Sequence, residues 1–170
     1  MDFRKTTEED IDQIMAIIKQ AQQYFKDNHI DQWQNNYPNV QTIKKDMQNG
    51  YSYVLVNERN IIATAAISFD GEKTYNQIYG GKWLSDEKYA VIHRLAVDPQ
   101  HKGLGISSEV LKNVEKMCTD QGVNSIKIDT HAQNSSMQRL LQKNNFTYCG
   151  VIYLGNGSKR IAFEKLMTDL

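Results

Sequence analysis

Gln100-His101-Lys102-Gly103-Leu104-Gly105 combines residue types and a spacing suited to holding a diphosphate. Glycines at 103 and 105 let main-chain N–H groups come close to an anion, and a helix starting just after them adds positive partial charge. His101 and Lys102 either add cationic side chains beside the phosphates or are solvated loop residues. Other phosphate loops fit less well. A Walker loop needs Lys and then Ser or Thr directly after its last glycine, and Ile106 follows Gly105. A dinucleotide fingerprint needs a third glycine where Ser108 stands, and belongs in the first βαβ unit of a chain. An ordinary strand-to-helix turn that uses glycine for its dihedrals is the plain alternative.

The elements around this loop are those that would aim it. Val91 to Val97 is β-branched and apolar enough to read as a strand, within a stretch spanning residues 89–97. Ser107, Val110, Leu111, Val114, Met117 and Cys118 then recur at helical spacing, predicting a helix over 103–121 that Gly122 stops. Upstream, residues 1–5 read as a short strand. Thr6 and Glu9 form a capping-box pattern for a helix with apolar positions Ile11, Ile14, Met15, Ile18, Ala21 and Phe25. Residues 29–38 read as a loop rich in aromatic and amide side chains, and Val40, Ile43 and Met47 as a short helix ended by Gly50. Residues 51–56 and 60–69 predict a hairpin, and 70–87 a polar connection. Strands at 124–129, 146–153 and 160–166 and a helix at 135–144 complete a mixed α/β arrangement with helices covering a central sheet.

Two blocks of this pattern resemble the GNAT superfamily of N-acetyltransferases. The loop at 100–105, after a strand ending in Leu95-Ala96-Val97, resembles that family's coenzyme A loop. Asn134, Met137, Leu140, Leu141, Asn145 and Phe146 resemble its second block, Asn-x-x-Ala-x-x-Leu-Tyr-x-x-x-Gly-Phe. The blocks occur in the family's order, and with the N-terminal helices the resemblance covers nearly the whole chain. It implies a single N-acetyltransferase domain over 1–170 with a mostly antiparallel, splayed central sheet flanked by helices. The sheet would open between the strands at 89–97 and 124–129 to admit the cofactor's arm.

Acetyl transfer from acetyl-CoA to an amine requires cofactor grip, a neutral nucleophile, carbonyl polarisation and a proton for the departing thiolate. The resemblance assigns the grip to Gln100, His101, Lys102, Gly103, Leu104 and Gly105, with Ile106, Ser107 and Ser108 from the first helical turn. Main-chain groups of Leu95, Ala96 and Val97 would pair with the pantetheine arm like an added strand, and the Val97 region would polarise the thioester carbonyl. Asn134 would bond the arm, a role compatible with capping the helix that follows it.

His93 is the candidate general base. Some family members carry histidine at the matching position, and imidazole titrates near neutrality. The alternative is a half-buried histidine satisfied by a carbonyl. The family's tyrosine acid falls on Leu141, so that role does not carry over; His131, Tyr148, Tyr153 or water stand open for it. Trp33 and Tyr37 lie in the inter-helix loop that lines the acceptor site in similar proteins, which makes residues 31–38 a candidate lid, set against a Trp33 that plugs the core. Asp129 and His131 are candidates for holding a cationic amine, set against a strand-end turn with local side-chain bonds.

Bulk properties exclude several classes. Lys plus Arg equals Asp plus Glu at 20 each, so no global field favours nucleic acid or an anionic membrane. No stretch approaches the roughly 18 apolar residues of a membrane span, and the charged start from Asp2 is unlike a signal peptide. Two cysteines are too few for a disulfide scaffold, so a reducing cytoplasm is the expected compartment. Cys118 lies on an apolar helical face and Cys149 has no adjacent base in sequence, which argues against a covalent thiol route. The four histidines show no metal-ligand spacing. The expected partner is a small-molecule or peptide amine, and a homodimer, common among similar proteins, stays open. The rival readings are a non-catalytic acyl-CoA-binding module and a nucleotide-phosphate binder.

Overall fold

In the computed structural model the described residues are 1–167. Seven strands and four α-helices follow one another as β1 (Asp2–Lys5), α1 (Ile11–Asp27), α2 (Val40–Gln48), β2 (Ser52–Asn57), β3 (Asn60–Ser68), β4 (Ala90–Val97), α3 (Ile106–Gln121), β5 (Ser125–Thr130), α4 (Ser135–Lys143), β6 (Thr147–Tyr153) and β7 (Lys159–Leu166). The strand order in the sheet is β1-β2-β3-β4-β5-β7-β6. The predicted mixed α/β class with a mostly antiparallel sheet is the observed one. Among the described residues no helix is long and apolar enough to cross a membrane.

The chain gathers into two compact units, Met1–Ile67 with His93–Asn113, and Ser68–Ile92 with Val114 onward. In the first, β1 pairs antiparallel with β2 and β2 with β3. The apolar stripe of α1 supplies Ile11, Ile14, Ile17 and Ile18 to a core shared with Ile43 of α2, Val54, Ile61 and Ala96. Burying such side chains stabilises by about 1.5–3 kcal/mol each. The start of α1 corrects the sequence reading by one residue. Thr7 and Asp10 form the capping box of a 3₁₀ turn, Glu8–Asp10, that leads into α1, and Thr6 instead shares a hydroxyl–hydroxyl bond of 2.7 Å with Ser52. Asp10 takes the Thr7 N–H at 2.7 Å and pairs with Arg4 at the same distance, which Glu9 at the next position does not do.

In the second unit β5 pairs antiparallel with β7, and β7 with β6. β4 runs parallel to β5 and shares with it the registers Ala90↔Ile126 and Val91↔Lys127. These are the two registers of their ladder, although Ile92 and Ile128 follow in the same unit.

The connection between β3 and β4 is better ordered than its polar composition predicts. Glu164 of β7 is fully buried; its carboxylate accepts from Leu84 N at 2.7 Å, Ser85 Oγ at 2.9 Å and Ser125 Oγ at 2.7 Å. Lys127, facing Glu164 across the ladder, lies over the rings of Trp83 (4.4 Å) and Tyr89 (4.1 Å). A charge buried without such partners would cost several kcal/mol. Gly81 is what lets the connection lie this close: a Cβ there would stand 2.0 Å from the Cys149 carbonyl oxygen.

Candidate active site

The phosphate-type loop begins where β4 ends. Asp98 turns the chain by accepting the Gln100 N–H on its side chain at 3.1 Å, and the His101 and Lys102 N–H groups close back on Asp98 and Pro99 carbonyls. A short 3₁₀ turn at Pro99–His101 results, so the N–H groups of residues 100–102 already have partners within the turn. Gly103 and Gly105 follow with φ of 79° and 74°, a left-handed backbone that favours glycine. Helix α3 starts at Ile106, three residues later than the periodicity predicts, because both glycines belong to the turn. This places the exposed segment Gly103-Leu104-Gly105 directly before the amides of the first turn of α3, which have no acceptor within the helix.

This arrangement fits a diphosphate. Space around Gly103 and Gly105 is open, with no atom within 4 Å of where a Cβ would stand. His101 Nδ1 has no hydrogen-bond partner, and the nearest Asp98 carboxylate oxygen lies 3.4 Å away. Lys102 lies with its Nζ over the Tyr24 ring of α1, 4.4 Å from the centroid. Ile106 is buried and anchors the helix start, while Ser107 and Ser108 are half-buried.

β4 itself departs from regular geometry at one residue. Arg94 has φ 55° in the middle of the strand, between His93 and the Leu95-Ala96-Val97 run. A left-handed non-glycine residue costs about 1–2 kcal/mol, and such a kink re-aims the side chains and main-chain groups around it. Its guanidinium offsets this cost through long-range bonds. Nε donates to Asp46 Oδ2 at 2.8 Å, Nη2 to Asp46 Oδ1 at 2.6 Å, and Nη1 to the Tyr37 hydroxyl at 3.0 Å. Burial disfavours the Arg94 charge, but Tyr37 and Asp46 outweigh it and raise the guanidinium pKa above its ordinary value. His93 is half-buried beside this kink. Leu95 and Ala96 are buried and Val97 half-buried.

The two aromatic residues of the inter-helix loop separate in role. Trp33 turns edge-on to Phe25, with centroids 5.7 Å apart, and packs against the core formed by α1 and α2. Tyr37 stays 44% exposed and reaches Arg94 through its hydroxyl. The sequence reading missed Arg94 and Asp46. The one available signal was an acidic residue at 46, three after Ile43, on the apolar side of a short helix.

In the second unit, Asn134 is buried and caps α4, its Oδ1 accepting the Met137 N–H at 3.2 Å. Asp129, at the end of β5, accepts the Tyr75 hydroxyl at 2.7 Å. Tyr75 is 2% exposed, and burial followed by the Asp129 charge holds its phenol well above the usual range, hence protonated and donating. His131 Nδ1 accepts the Gln133 N–H at 3.0 Å, a bond of the strand-end turn. Thr130, buried between them in sequence, has a side-chain hydroxyl with no hydrogen-bond partner. Leu141 is fully buried, and Asn145 adopts φ 66°, the left-handed backbone that asparagine tolerates best after glycine.

Neither cysteine is set up as a nucleophile. Burial pushes Cys118 up to about 12 and also raises Cys149, so both stay thiols near neutral pH. Among the described residues no three His, Cys, Asp or Glu side chains gather as a metal site.

Known structures share this architecture. An acetyltransferase of the GNAT family from Streptococcus agalactiae 2603 superposes with a TM-score of 0.90 at 32% identity, over 99% of this chain and 96% of that one. A GNAT-family acetyltransferase from Listeria monocytogenes 4b F2365 has a TM-score of 0.74 at 17% identity, over 98% and 94% of the two chains. A ribosomal-protein-alanine N-acetyltransferase from Brucella melitensis has 0.68 at 16%, over 98% and 100%. These last two are alike in fold alone. No curated protein sequence matches the chain. The acetyltransferase (GNAT) family model matches residues 15–146, a span that includes the kinked β4, the glycine turn and the α4 block, and the chain belongs to that family.

Proposed function

We propose that this protein is an acetyl-CoA-dependent N-acetyltransferase that acetylates a primary amine of a small molecule or protein by direct attack in a ternary complex. The observation that carries the reading is the turn before α3, where two left-handed glycines open onto the start of a 16-residue helix. Family membership makes acetyl-CoA the ligand that suits it. Bound there, acetyl-CoA supplies a thioester carbonyl as the electrophile. In the overall reaction a C–N bond forms, the C–S bond breaks, the amine loses a proton and the thiol gains one.

The chain's own residues would divide this work. Gly103, Leu104 and Gly105 with the first turn of α3 would hold the diphosphate by main-chain N–H groups, with His101 adding a donor. Gln100 and Lys102 would flank it. Leu95, Ala96 and Val97 would offer main-chain partners to the arm, and the N–H of the Val97 region would polarise the carbonyl. By the family resemblance Asn134 would bond the arm, and Asp129 and His131 are the candidates for holding the acceptor amine. An imidazole nitrogen of His93 would take the ammonium proton, directly or through water. Tyr37 would wall the acceptor, while Trp33 anchors its loop in the core. Leu141 stands at the family's tyrosine position, so the proton for the thiol is not assigned to a side chain.

The test is thiol release from acetyl-CoA across a panel of polyamines, amino acids and peptides with free α-amino groups. Release matched by equal acetylation of one amine is expected, and Gly103→Glu should abolish it. Binding of acetyl-CoA without release on any amine would instead favour the non-catalytic acyl-CoA-binding module, the reading that Leu141 supports.

A further inference from the structure

Around the loop between α1 and α2 the first unit gathers several strained backbone positions and a largely buried ion pair. His29, Trp33, Asn35 and Asn36 all adopt a left-handed backbone although none is glycine, and so does Arg94 in β4. Such residues persist where surrounding contacts over-determine them, and they cluster at ligand sites. Here the contacts are visible. Gln22 Nε2 donates to Pro38 O at 3.0 Å, Gln34 Nε2 to Gln22 O at 3.2 Å and Asn39 Nδ2 to Asn36 O at 3.0 Å, which ties the loop to the helices on either side. Trp33 plugs the loop into the core. Tyr37 then links it to β4 by accepting the Arg94 Nη1–H, while Asp46 of α2 grips the same guanidinium with both oxygens.

We propose that Arg94, Asp46 and Tyr37 form a clamp that fixes residues 31–38 against β4, and that Arg94 is thereby a positioning residue for the acceptor amine. The acceptor half rests on the transferase reading above. Asp46 is almost fully buried and engages Arg94 in a fork, which fixes the plane of the guanidinium and leaves Nη1 aimed at the phenol. An ammonium in place of that fork would keep the charge and lose the geometry. The exposed Tyr37 ring is thus held at a set position next to the strand that carries His93. A loop held in this way presents a preformed wall to the acceptor, so less ordering accompanies acceptor binding.

The test compares Arg94→Lys and Tyr37→Phe with the parent chain by two independent measurements. Amide hydrogen exchange reads the clamp without any need for activity. Exchange in 31–38 should quicken at least tenfold in both variants, with α3 unchanged; unchanged loop exchange in Tyr37→Phe, where an exposed side chain loses only its hydroxyl, would overturn the clamp. Steady-state kinetics read the acceptor half. The acceptor KM should rise fivefold or more while kcat falls less than twofold and acetyl-CoA affinity is kept. A loosened loop with unchanged acceptor KM would overturn the positioning role. A parent chain that acetylates no amine would sink the transferase reading and the acceptor half with it, while hydrogen exchange still decides the clamp.

Discussion

His93 and Arg94 show how much one dihedral angle can matter. In a regular strand, neighbouring side chains point to opposite faces of the sheet and both residues stay in the ladder. The left-handed Arg94 interrupts that alternation directly before Leu95-Ala96-Val97, and the distant Asp46 and Tyr37 hold it there. His93 sits at the edge of this irregularity, half-buried, and the proposed transfer needs a base because its amine is protonated at neutral pH. Alkyl amines of the lysine type have a pKa of about 10.4, so near neutrality only a small fraction is nucleophilic. His93→Ala should therefore lower kcat by about 10²-fold at pH 7, within the usual range for a general base. The loss should shrink toward pH 10, where solution itself supplies free amine. A pH–rate series would show this, and a loss of equal size across the range would reduce His93 to a packing role.

At the scale of elements, the start of α1 shows how one carboxylate can serve two purposes. Asp10 accepts the Thr7 N–H, which closes the 3₁₀ turn leading into the helix, and pairs with Arg4 of β1, which fixes strand and helix to one another within the first unit. The Arg4 hydrogen bond is the largest influence on its carboxyl, and together with the Thr7 bonds it outweighs burial and holds the pKa below the ordinary 3.8. A depressed carboxylate pKa stabilises the fold at pH above the unfolded value, and the contribution is lost as pH falls through the folded one. Asp10→Asn should thus cost about 1–2 kcal/mol at pH 7, the typical size of a lost cap or charge-assisted bond. The difference should begin to narrow below about pH 4. Urea unfolding midpoints from pH 7 to pH 3 would measure it, and a constant gap would exclude the charge as the cause. Glycine placement works at the same scale but for different reasons. Gly103 and Gly105 are needed for dihedrals in open space, whereas Gly81 is needed because a backbone passes where its Cβ would be.

For the whole molecule, a charge balance of 20 against 20 leaves recognition to local geometry rather than to a broad field. Ligand specificity should then appear as selective stabilisation. Acetyl-CoA at a hundred times its Kd should add about 2.7 kcal/mol to unfolding, which for a chain of this size is roughly 5–10 °C in Tm. ATP and NAD at equal concentration should add far less. A thermal-shift comparison in which either nucleotide matches acetyl-CoA would support a nucleotide-phosphate binder instead. The measurement also separates binding from turnover, because it needs no acceptor.

The class of fold, the order of its elements, the glycine turn and the family all follow from local signals. Hydrophobic periodicity and glycine dihedrals act within a few residues of the chain, so Gly103, Gly105, the Asn134 cap and the left-handed Asn145 are readable where they stand. Boundaries shift by one to three residues: Thr7–Asp10 replaces Thr6–Glu9 because neighbouring caps differ little in energy, and α3 begins at Ile106 because both glycines belong to the turn. Tertiary structure decided what lies between distant positions. Arg94 meets Asp46 48 residues away and Tyr37 57 away, and Glu164 meets Ser85 79 away. The same fold determined that Trp33 joins the core while Tyr37 faces solvent. Pairing and burial of charge depend on which remote residue arrives to satisfy it, and no local pattern carries that information.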